Sequence, residues 1–186
     1  MRVIAGSLKG RKLAPVKGMG IRPTSDRLRE SIFSILSHCV QGAVVLDLFA
    51  GTGALGIESL SRGAKTACFI DHDPRAVAMV RQNVDICRIM DRVSIIQWNV
   101  VRNLNCLHSF PSRFDLVFID PPYRQNAILP TLSNLCRSGR LEHDACLVLE
   151  HSMAESLPPI DPPLVIRDQR KYGKTLVSFL AYMVQK

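Results

Sequence analysis

Short apolar runs alternate with helical stretches from residue 43 onward, and no other feature of the sequence constrains the fold as strongly. We predict four pairs of strand and helix: Val44–Phe49 with Ala54–Arg62, Thr66–Ile70 with Arg75–Ile86, Val93–Gln97 with a short segment to about His108, and Leu116–Ile119 with Ala127–Cys136. Because a helix separates consecutive strands, the strands can lie parallel. The pattern therefore predicts an α/β fold, with a parallel sheet covered by helices on both faces.

The end of the chain departs from this alternation. Its apolar runs, at Ala145–Leu149, Leu164–Arg167 and Leu176–Met183, have no long helix between them. Strands joined in this way can pair antiparallel, and mixed sheets often carry such strands at an edge. A chain of 186 residues, of which 47% are hydrophobic, has the size and composition of one soluble globular unit.

Positive charge is concentrated at the N-terminus. The formal net charge is +8, and residues 1–30 hold eight cations but only two anions. This is the charge distribution of a surface that binds a phosphate backbone, although a solvated basic face without a partner explains the charge equally well.

The same N-terminal segment has its own structural signals. Val3–Ala5 and Lys12–Ala14 flank a stretch bounded by Gly6 and Gly10, which predicts a small β-hairpin. Thr24 or Ser25 can cap the helix that follows. We therefore divide the chain into a basic N-terminal hairpin arm, residues 1–24, and an α/β domain, residues 25–186.

The first strand leads into a glycine-rich turn. After Phe49 and Ala50 comes Gly51-Thr52-Gly53-Ala54-Leu55-Gly56, a Gly-x-Gly-x-x-Gly pattern that opens the next helix. Such glycines let the backbone approach a ligand, so the turn favours a nucleotide-like cofactor, although tight strand-helix packing alone gives the same pattern. No Lys-Ser or Lys-Thr follows, and this argues against a P-loop ATPase.

Two carboxylates indicate which cofactor the turn binds. Asp71 ends the second strand, 20 residues after Gly51, where it can accept hydrogen bonds from both ribose hydroxyls of an adenosine. Asp47 precedes the turn, where a dinucleotide would place its pyrophosphate. A carboxylate there repels a pyrophosphate and attracts the sulfonium and ammonium groups of S-adenosylmethionine. Asp71 fits either cofactor, so it is Asp47 that favours S-adenosylmethionine over NAD, with a surface position or a helix cap as its alternative role.

A second signature ends the fourth predicted strand. The strand leads into Asp120-Pro121-Pro122-Tyr123, which should face the same crevice as the glycine turn. Asp120 and the Pro121 carbonyl can accept the two hydrogens of an exocyclic amino group, while the prolines fix the turn and remove competing N–H donors. Tyr123 can stack on a base. These residue types predict in-line methyl transfer to a base amino nitrogen, without a covalent enzyme intermediate.

Together the two signatures resemble those of class I S-adenosylmethionine-dependent methyltransferases that modify amino groups. Further segments resemble one family in particular, the bacterial 16S rRNA guanine-N2 methyltransferases known as RsmD. These segments are Arg2-Val3-Ile4-Ala5-Gly6, Gly10-Arg11-Lys12-Leu13, Arg22-Pro23-Thr24-Ser25-Asp26-Arg27-Leu28-Arg29-Glu30-Ser31-Ile32-Phe33 and Lys171-Tyr172-Gly173-Lys174-Thr175. The resemblance covers nearly the whole chain.

The resemblance implies a Rossmann-like, mostly parallel sheet of seven strands, S-adenosylmethionine as cofactor, and a guanine of 16S rRNA within a small ribosomal subunit or assembly intermediate. With it, we expect cofactor contacts from Asp47, Phe49, Ala50, Gly51, Gly53, Gly56, Asp71 and Asn99, and RNA contacts from Arg11, Lys12, Arg22, Thr24 and Arg27. Asn99 is a departure, because many class I enzymes carry an aspartate there for the adenine amino group. The asparagine oxygen can still accept that hydrogen bond.

Other classes of protein stay open. An adenine-N6 or protein glutamine-N5 methyltransferase would use a similar loop, an NAD-dependent oxidoreductase would share the glycine turn, and a non-catalytic RNA-binding module would share only the basic arm. The spacing of cysteines and histidines matches no zinc site, and no apolar segment has the length of a membrane-spanning helix. We therefore expect a cytoplasmic monomer that binds neither a metal nor a membrane.

Overall fold

The computed structural model describes residues 1–14, 25–122, 126–154 and 163–183. The helices are α1 Asp26–Ile35, α2 Ala54–Ser61, α3 Pro74–Cys87 and α4 Ile128–Arg137. The strands are β1 Val44–Leu48, β2 Thr66–Asp71, β3 Val93–Gln97, β4 Phe114–Ile119, β5 Leu141–Ser152, β6 Leu164–Tyr172 and β7 Thr175–Tyr182. Each of them overlaps an element predicted from the sequence, and β5 and β6 are longer than predicted.

The seven strands form one sheet in the order β3-β2-β1-β4-β5-β7-β6. β1 pairs parallel with β2 and with β4, and the pairs β2–β3 and β4–β5 are also parallel. β7 is antiparallel to both of its neighbours, β5 and β6. The predicted α/β fold, with a mostly parallel sheet and an antiparallel edge, is therefore confirmed.

Helices cover both faces of this sheet. The buried residues Phe33 of α1, Ile57 of α2 and Val80 of α3 belong to one hydrophobic cluster, whereas Leu132 and Leu135 of α4 belong to a second. The helices that follow β1 and β4 thus lie on opposite faces. In a sheet of this kind the change of face opens a crevice at the carboxyl ends of the two strands, where ligands bind.

Side chains at their first turns fix the starts of two helices. The hydroxyl of Ser25 accepts a hydrogen bond from the Leu28 backbone N–H at 3.2 Å, so Ser25 caps α1. Asp73 caps α3 in the same way by accepting from Arg75 N–H at 2.8 Å, with Pro74 at the first helical position. The cap of α1 is therefore at a predicted position, and α3 begins one residue before the predicted Arg75.

The predicted N-terminal hairpin is not confirmed as a pair of strands. Residues 1–14 contain one isolated antiparallel bridge, between Arg2 and Lys12. The Val3 N–H donates to the Arg11 carbonyl at 3.0 Å and the Gly10 N–H to the Val3 carbonyl at 2.9 Å. The N–H groups of Ile4 and Ala5 donate instead to the Glu58 carboxylate on α2, at 2.8 and 3.0 Å, so no longer ladder forms. Val3 is buried in the core cluster beside α1 and α2. Residues 15–24 of the predicted arm lie outside the described residues.

Candidate active site

The turn after β1 is built from residues with a left-handed backbone. Phe49, Gly51 and Gly53 have φ values of 59°, 54° and 73°. The conformation is easy for glycine but costs about 1 kcal/mol or more for phenylalanine. A hydrogen bond from Gly53 N–H to the Ala50 carbonyl, at 2.7 Å, closes the turn. Backbone strain of this kind is typical of ligand-binding loops.

Gly56 brings α2 close to the sheet. A Cβ atom at this position would lie 2.3 Å from Cε1 of Phe69, on β2, and 3.2 Å from Oδ2 of Asp47. No larger residue fits there unless the ring moves. The third glycine of the pattern therefore serves strand-helix packing, which is the role this position has in nucleotide-binding turns.

Asp47 lies buried at the root of this turn. Its Oδ2 accepts a hydrogen bond from the Gly56 N–H at 3.0 Å, so the carboxyl caps the first turn of α2. Burial raises its pKa to about 8, the bond from Gly56 acts in the opposite direction, and the negative charge of Asp71 adds to the rise. Asp47 is thus largely protonated at neutral pH in the ligand-free protein, which the sequence pattern did not indicate.

Asp71 connects the end of β2 to the glycine turn. Its Oδ2 accepts from the Gly51 N–H at 2.9 Å, and its Oδ1 accepts from the Asp73 N–H at 3.0 Å. The His72 ring lies 3.5 Å from the same Oδ1. A carboxylate has lone pairs beyond these bonds, so both oxygens can still accept from a ligand hydroxyl.

Asn99 lies beyond the end of β3, exposed to solvent. Its side-chain oxygen accepts from the backbone N–H groups of Val101 and Arg102, at 3.1 and 3.3 Å, and so holds a local turn. The neighbouring Trp98 packs against the second hydrophobic cluster and donates from Nε1 to the Asn103 carbonyl at 3.0 Å. The geometry of Asn99 therefore gives it a turn-forming role, and its contact with an adenine stays a prediction.

The Asp-Pro-Pro segment is adjacent to the glycine turn. β1 and β4 pair in register, with Leu48 opposite Ile119, so Asp120 follows β4 directly beside the residue that begins the turn, Phe49. Pro121 is buried and Pro122 is exposed. Tyr123 lies outside the described residues. The two signatures, more than 60 positions apart in the chain, thus meet at one edge of the sheet.

A third acid, Glu150, lies beside Asp120 and was not identified from the sequence. Ile119 of β4 is opposite Leu149 of β5, which places Asp120 and Glu150 next to each other at the ends of these strands. The low-dielectric surroundings of the Asp120 carboxyl, with the negative charges of Glu150 and Asp47, raise its pKa well above the usual range. The sequence signal that could have identified Glu150 is its position directly after the apolar run Leu147–Leu149.

Two further buried polar residues connect the N-terminal segment to this site. Asn83 of α3 donates to the carbonyl of Thr52, within the glycine turn, at 2.8 Å, and accepts from the Ala14 N–H at 2.8 Å. Glu58 of α2 accepts from the segment at Ile4 and Ala5. No spacing pattern marks either residue, because their partners are distant in sequence.

The predicted RNA-binding residues occupy the N-terminal part of the surface. Arg11 is exposed and donates to the Ile86 carbonyl near the end of α3 at 3.1 Å, and Lys12 is exposed beside it. Arg27 is exposed on the first turn of α1. Arg22 and Thr24 lie outside the described residues.

No helix in the described ranges combines the length and apolar character that crossing a bilayer requires. Within the same ranges, no group of three or more His, Cys, Asp or Glu side chains is placed to hold a metal ion.

Comparison with known proteins identifies the family. The family described as conserved hypothetical protein 95 matches residues 1–181. This chain belongs to that family. Its members include relatives carrying the name that the sequence resemblance indicated: Ribosomal RNA small subunit methyltransferase D of Escherichia coli K12 is 32% identical over 160 residues, which are 86% of this chain and 79% of that protein. The resemblance to RsmD is thereby confirmed.

Two other relatives extend this agreement over the full length. The protein YlbH of Bacillus subtilis strain 168 is 36% identical over 178 residues, covering 96% of this chain and 97% of its own. The solved structure of the protein yhhF from Escherichia coli superposes with a TM-score of 0.86 at 30% identity, covering 100% of this chain and 99% of that one. The fold of the family is therefore present from end to end.

Proposed function

We propose that this protein transfers a methyl group from S-adenosylmethionine to the exocyclic N2 of a guanine in 16S rRNA. The observation that carries the proposal is the pairing of β1 with β4, because it brings the glycine turn and the Asp-Pro-Pro segment to one crevice. The names of the relatives, which specify methylation of small-subunit ribosomal RNA, support the same substrate. An adenine-N6 or protein glutamine-N5 methyltransferase is the alternative within this chemistry.

The residues around the turn fit S-adenosylmethionine. The left-handed Gly51 adds no side chain to the turn, and Gly53 lets the turn pack closely against Phe69, where a Cβ would lie 3.2 Å from the ring. Asp71 has acceptor capacity for ribose hydroxyls at the end of β2. Asp47 supplies a carboxyl near the position expected for the cationic end of the cofactor. A cationic ligand favours the ionised form of Asp47, whereas a pyrophosphate opposes its ionisation, so the site favours a sulfonium compound over NAD.

The chemistry needs little from the protein beyond positioning. Bound S-adenosylmethionine supplies an electrophilic methyl group. Asp120 and the Pro121 carbonyl accept hydrogen bonds from the guanine amino group and aim its lone pair along the line of attack. As the nitrogen takes up the methyl group, the methyl–sulfur bond would break and its electron pair would stay on sulfur, in the thioether that leaves. The nitrogen would then be cationic and lose a proton, and the raised pKa of Asp120 makes its ionised carboxyl a competent acceptor.

Replacement of Asp71 tests the cofactor site. We expect Asp71→Ala to weaken S-adenosylmethionine binding by about 1–3 kcal/mol, because ribose hydroxyls lose an acceptor and the Gly51 N–H loses its partner. Isothermal titration calorimetry on a variant with native circular dichroism measures the loss. Asp91→Ala, which changes an acid in the short turn before β3, is the matched control. Unchanged affinity in Asp71→Ala would assign the ribose to another residue.

The affinity for S-adenosylmethionine should depend on pH through Asp47. The pKa of Asp47 is about 8 in the ligand-free protein, and a cationic ligand favours the ionised form. Binding therefore releases a proton below pH 8, and we expect affinity to rise with pH until Asp47 is ionised in the free protein. Titrations across this range, repeated with Asp47→Asn, measure the effect. A slope that survives in Asp47→Asn would assign the proton to a different group.

Removal of positive charge tests whether the N-terminal arm binds RNA. Replacing Arg11, Lys12 and Arg22 together with glutamine should weaken RNA binding and flatten its salt dependence, since each lost phosphate contact removes about 0.7–0.9 from the logarithmic slope. S-adenosylmethionine affinity should barely change. Fluorescence anisotropy with 16S rRNA fragments at several salt concentrations checks both statements. If the slope stays the same, the arm is a solvated face.

The class of substrate can be tested directly. Small ribosomal subunits that lack the modification are incubated with the protein and S-adenosylmethionine labelled in its methyl group. We expect label in the RNA fraction and none in the ribosomal proteins. Label confined to protein would favour the glutamine-N5 alternative, and tighter binding of NADH than of S-adenosylmethionine would contradict the cofactor assignment.

A further inference from the structure

A groove with a volume of about 540 Å³ lies between α1 and β6. Its lining includes Arg27, Ser31 and Ser34 from α1 and Arg170 and Tyr172 from β6. We call it the α1–β6 groove. It is separate from the glycine turn and from the Asp-Pro-Pro segment, and the proposed function assigns it no role.

Strand pairing shows that α1 and these β6 residues share one face of the sheet. Arg170 is opposite Val177 of β7, and Tyr172 is opposite Thr175. Cross-strand partners point to the same face. Val177 is buried in the cluster that contains Ile32 of α1, so Arg170 and Tyr172 lie on the α1 side of the sheet.

The Tyr172 end of the groove lies at the catalytic edge. Thr175 pairs with both Tyr172 and Ser152, the last residue of β5. Ser152 comes two positions after Glu150, which is next to Asp120 in register. A strand rises about 3.3 Å per residue. Measured along the strand direction, the start of the β6–β7 turn therefore lies within about one nucleotide spacing of Asp120 and Glu150.

The Arg27 end of the groove lies at the same edge. Asp26, which precedes Arg27, forms an ion pair with Arg2 at 3.5 Å. The adjacent Met1 places its sulfur 3.9 Å from the hydroxyl of Thr52, inside the glycine turn. The Arg27 end of the groove is therefore linked to the glycine turn through Asp26, Arg2 and Met1.

The charge around the groove suits a polyanion. Arg27 and Arg170 are exposed, and the β6–β7 turn adds the exposed cation Lys174. Asp168 pairs with Nε of Arg170 at 2.8 Å and offsets part of that charge, but a guanidinium has further N–H donors. Glu30 is the acid in the lining. Guanidinium groups bind phosphates well, and a tyrosine ring offers a stacking surface for a base.

We propose that the α1–β6 groove binds the single-stranded RNA segment next to the target nucleotide, with Arg27 and Arg170 contacting phosphates and Tyr172 stacking on a flanking base. The proposal rests on the proposed function, since it takes the substrate to be RNA. An acidic protein surface would suit the cations, but a tyrosine ring beside them, towards the catalytic edge of the sheet, favours a nucleic-acid base.

The test measures binding of a fluorescein-labelled single-stranded oligoribonucleotide at several potassium chloride concentrations. The double variant Arg27→Gln/Arg170→Gln should lower the logarithmic salt slope by about 1.4, because each phosphate contact on a single strand contributes about 0.7. Arg92→Gln/Arg113→Gln removes the same charge from positions preceding β3 and β4, at the opposite edge of the sheet, and should bind as the unmodified protein does.

Substitution of Tyr172 tests stacking. Tyr172→Leu keeps an apolar side chain against the core but removes the ring, and should weaken RNA binding by about 5- to 150-fold. Tyr172→Phe keeps the ring and should stay near the unmodified protein. Both variants should bind S-adenosylmethionine normally.

Each outcome bears on one claim. If the groove variants bind RNA as the Arg92→Gln/Arg113→Gln control does, the groove proposal is overturned, whereas methyl incorporation into RNA by the unmodified protein would still support the proposed function. Loss of binding to whole small subunits but not to the oligoribonucleotide would indicate a ribosomal protein as partner and also overturn it. If the unmodified protein transfers no methyl group to RNA, the proposed function fails independently of the groove.

Discussion

Asp120→Asn should slow methyl transfer by about 100-fold or more while leaving the fold and the affinity for S-adenosylmethionine intact. The amide is isosteric, but it carries no charge and its NH₂ group is a donor facing an amine that also donates. The loss of proton acceptance alone is worth about 10²-fold or more. Single-turnover rates at saturating S-adenosylmethionine measure the chemical step without contributions from binding.

The pH dependence provides a second readout for Asp120. Its pKa is raised by its low-dielectric surroundings and by the charges of Glu150 and Asp47, so the ionised fraction, and with it the rate, should increase as pH rises through that pKa. Asp120→Asn should lose this increase. Asp115→Asn, at the start of the same strand, where Asp115 accepts from Val44 N–H at 2.8 Å, is the control. A near-normal rate for Asp120→Asn would remove Asp120 from the catalytic residues.

Glu58→Ala should lower the free energy of unfolding by about 3–5 kcal/mol, the largest stability effect that we expect from one substitution. Glu58 is fully buried and accepts from the N–H groups of Ile4 and Ala5 and from Nε of Arg62 at 2.7 Å. Its removal leaves two backbone donors and a mostly buried guanidinium without their acceptor, and the cost of breaking a buried charged pair is of this size. Urea denaturation followed by circular dichroism measures the change.

Two further variants serve as references for the stability loss expected from Glu58→Ala. Glu142→Ala removes an exposed glutamate from β5 and should change stability by no more than about 0.5 kcal/mol. Glu58→Gln retains one acceptor oxygen and should fall between the two. A loss below about 1 kcal/mol in Glu58→Ala would mean that the N-terminal segment is held mainly by the burial of Val3 and Leu13.

The sequence predicts the sheet well where strands are apolar and poorly where they face solvent. β5 begins at Leu141, which pairs with Phe114 of β4, rather than at Ala145. The polar Glu142-His143-Asp144 lies in an irregularity of the register before Cys146 pairs with Leu116, and leaves no apolar signal. β6 continues to Tyr172 through a charged stretch because it is an edge strand, whose backbone pairs with β7 while its side chains stay in water. Periodicity detects burial, so it misses strands that are only half buried.

The sequence likewise identifies some residues of the candidate site and misses others. Asp47, Asp71 and Asp120 are identifiable because each lies at the carboxyl end of an apolar run, and the parallel topology brings such positions together. Glu58 and Asn83 are not identifiable as contacts of the N-terminal segment, because their partners in that segment lie 53 or more residues away and only packing brings them together. The protonated state of Asp47 follows from burial, which no spacing pattern encodes.

The proposed reaction is tested most directly by identifying the modified nucleoside. Small ribosomal subunits lacking the modification are treated with the protein and S-adenosylmethionine, and their 16S rRNA is digested to nucleosides and analysed by mass spectrometry, with Asp120→Asn as the control protein. We predict N2-methylguanosine with the unmodified protein and a strongly reduced yield with Asp120→Asn. N6-methyladenosine in its place, or no methylated nucleoside above the level of the control, would contradict the account.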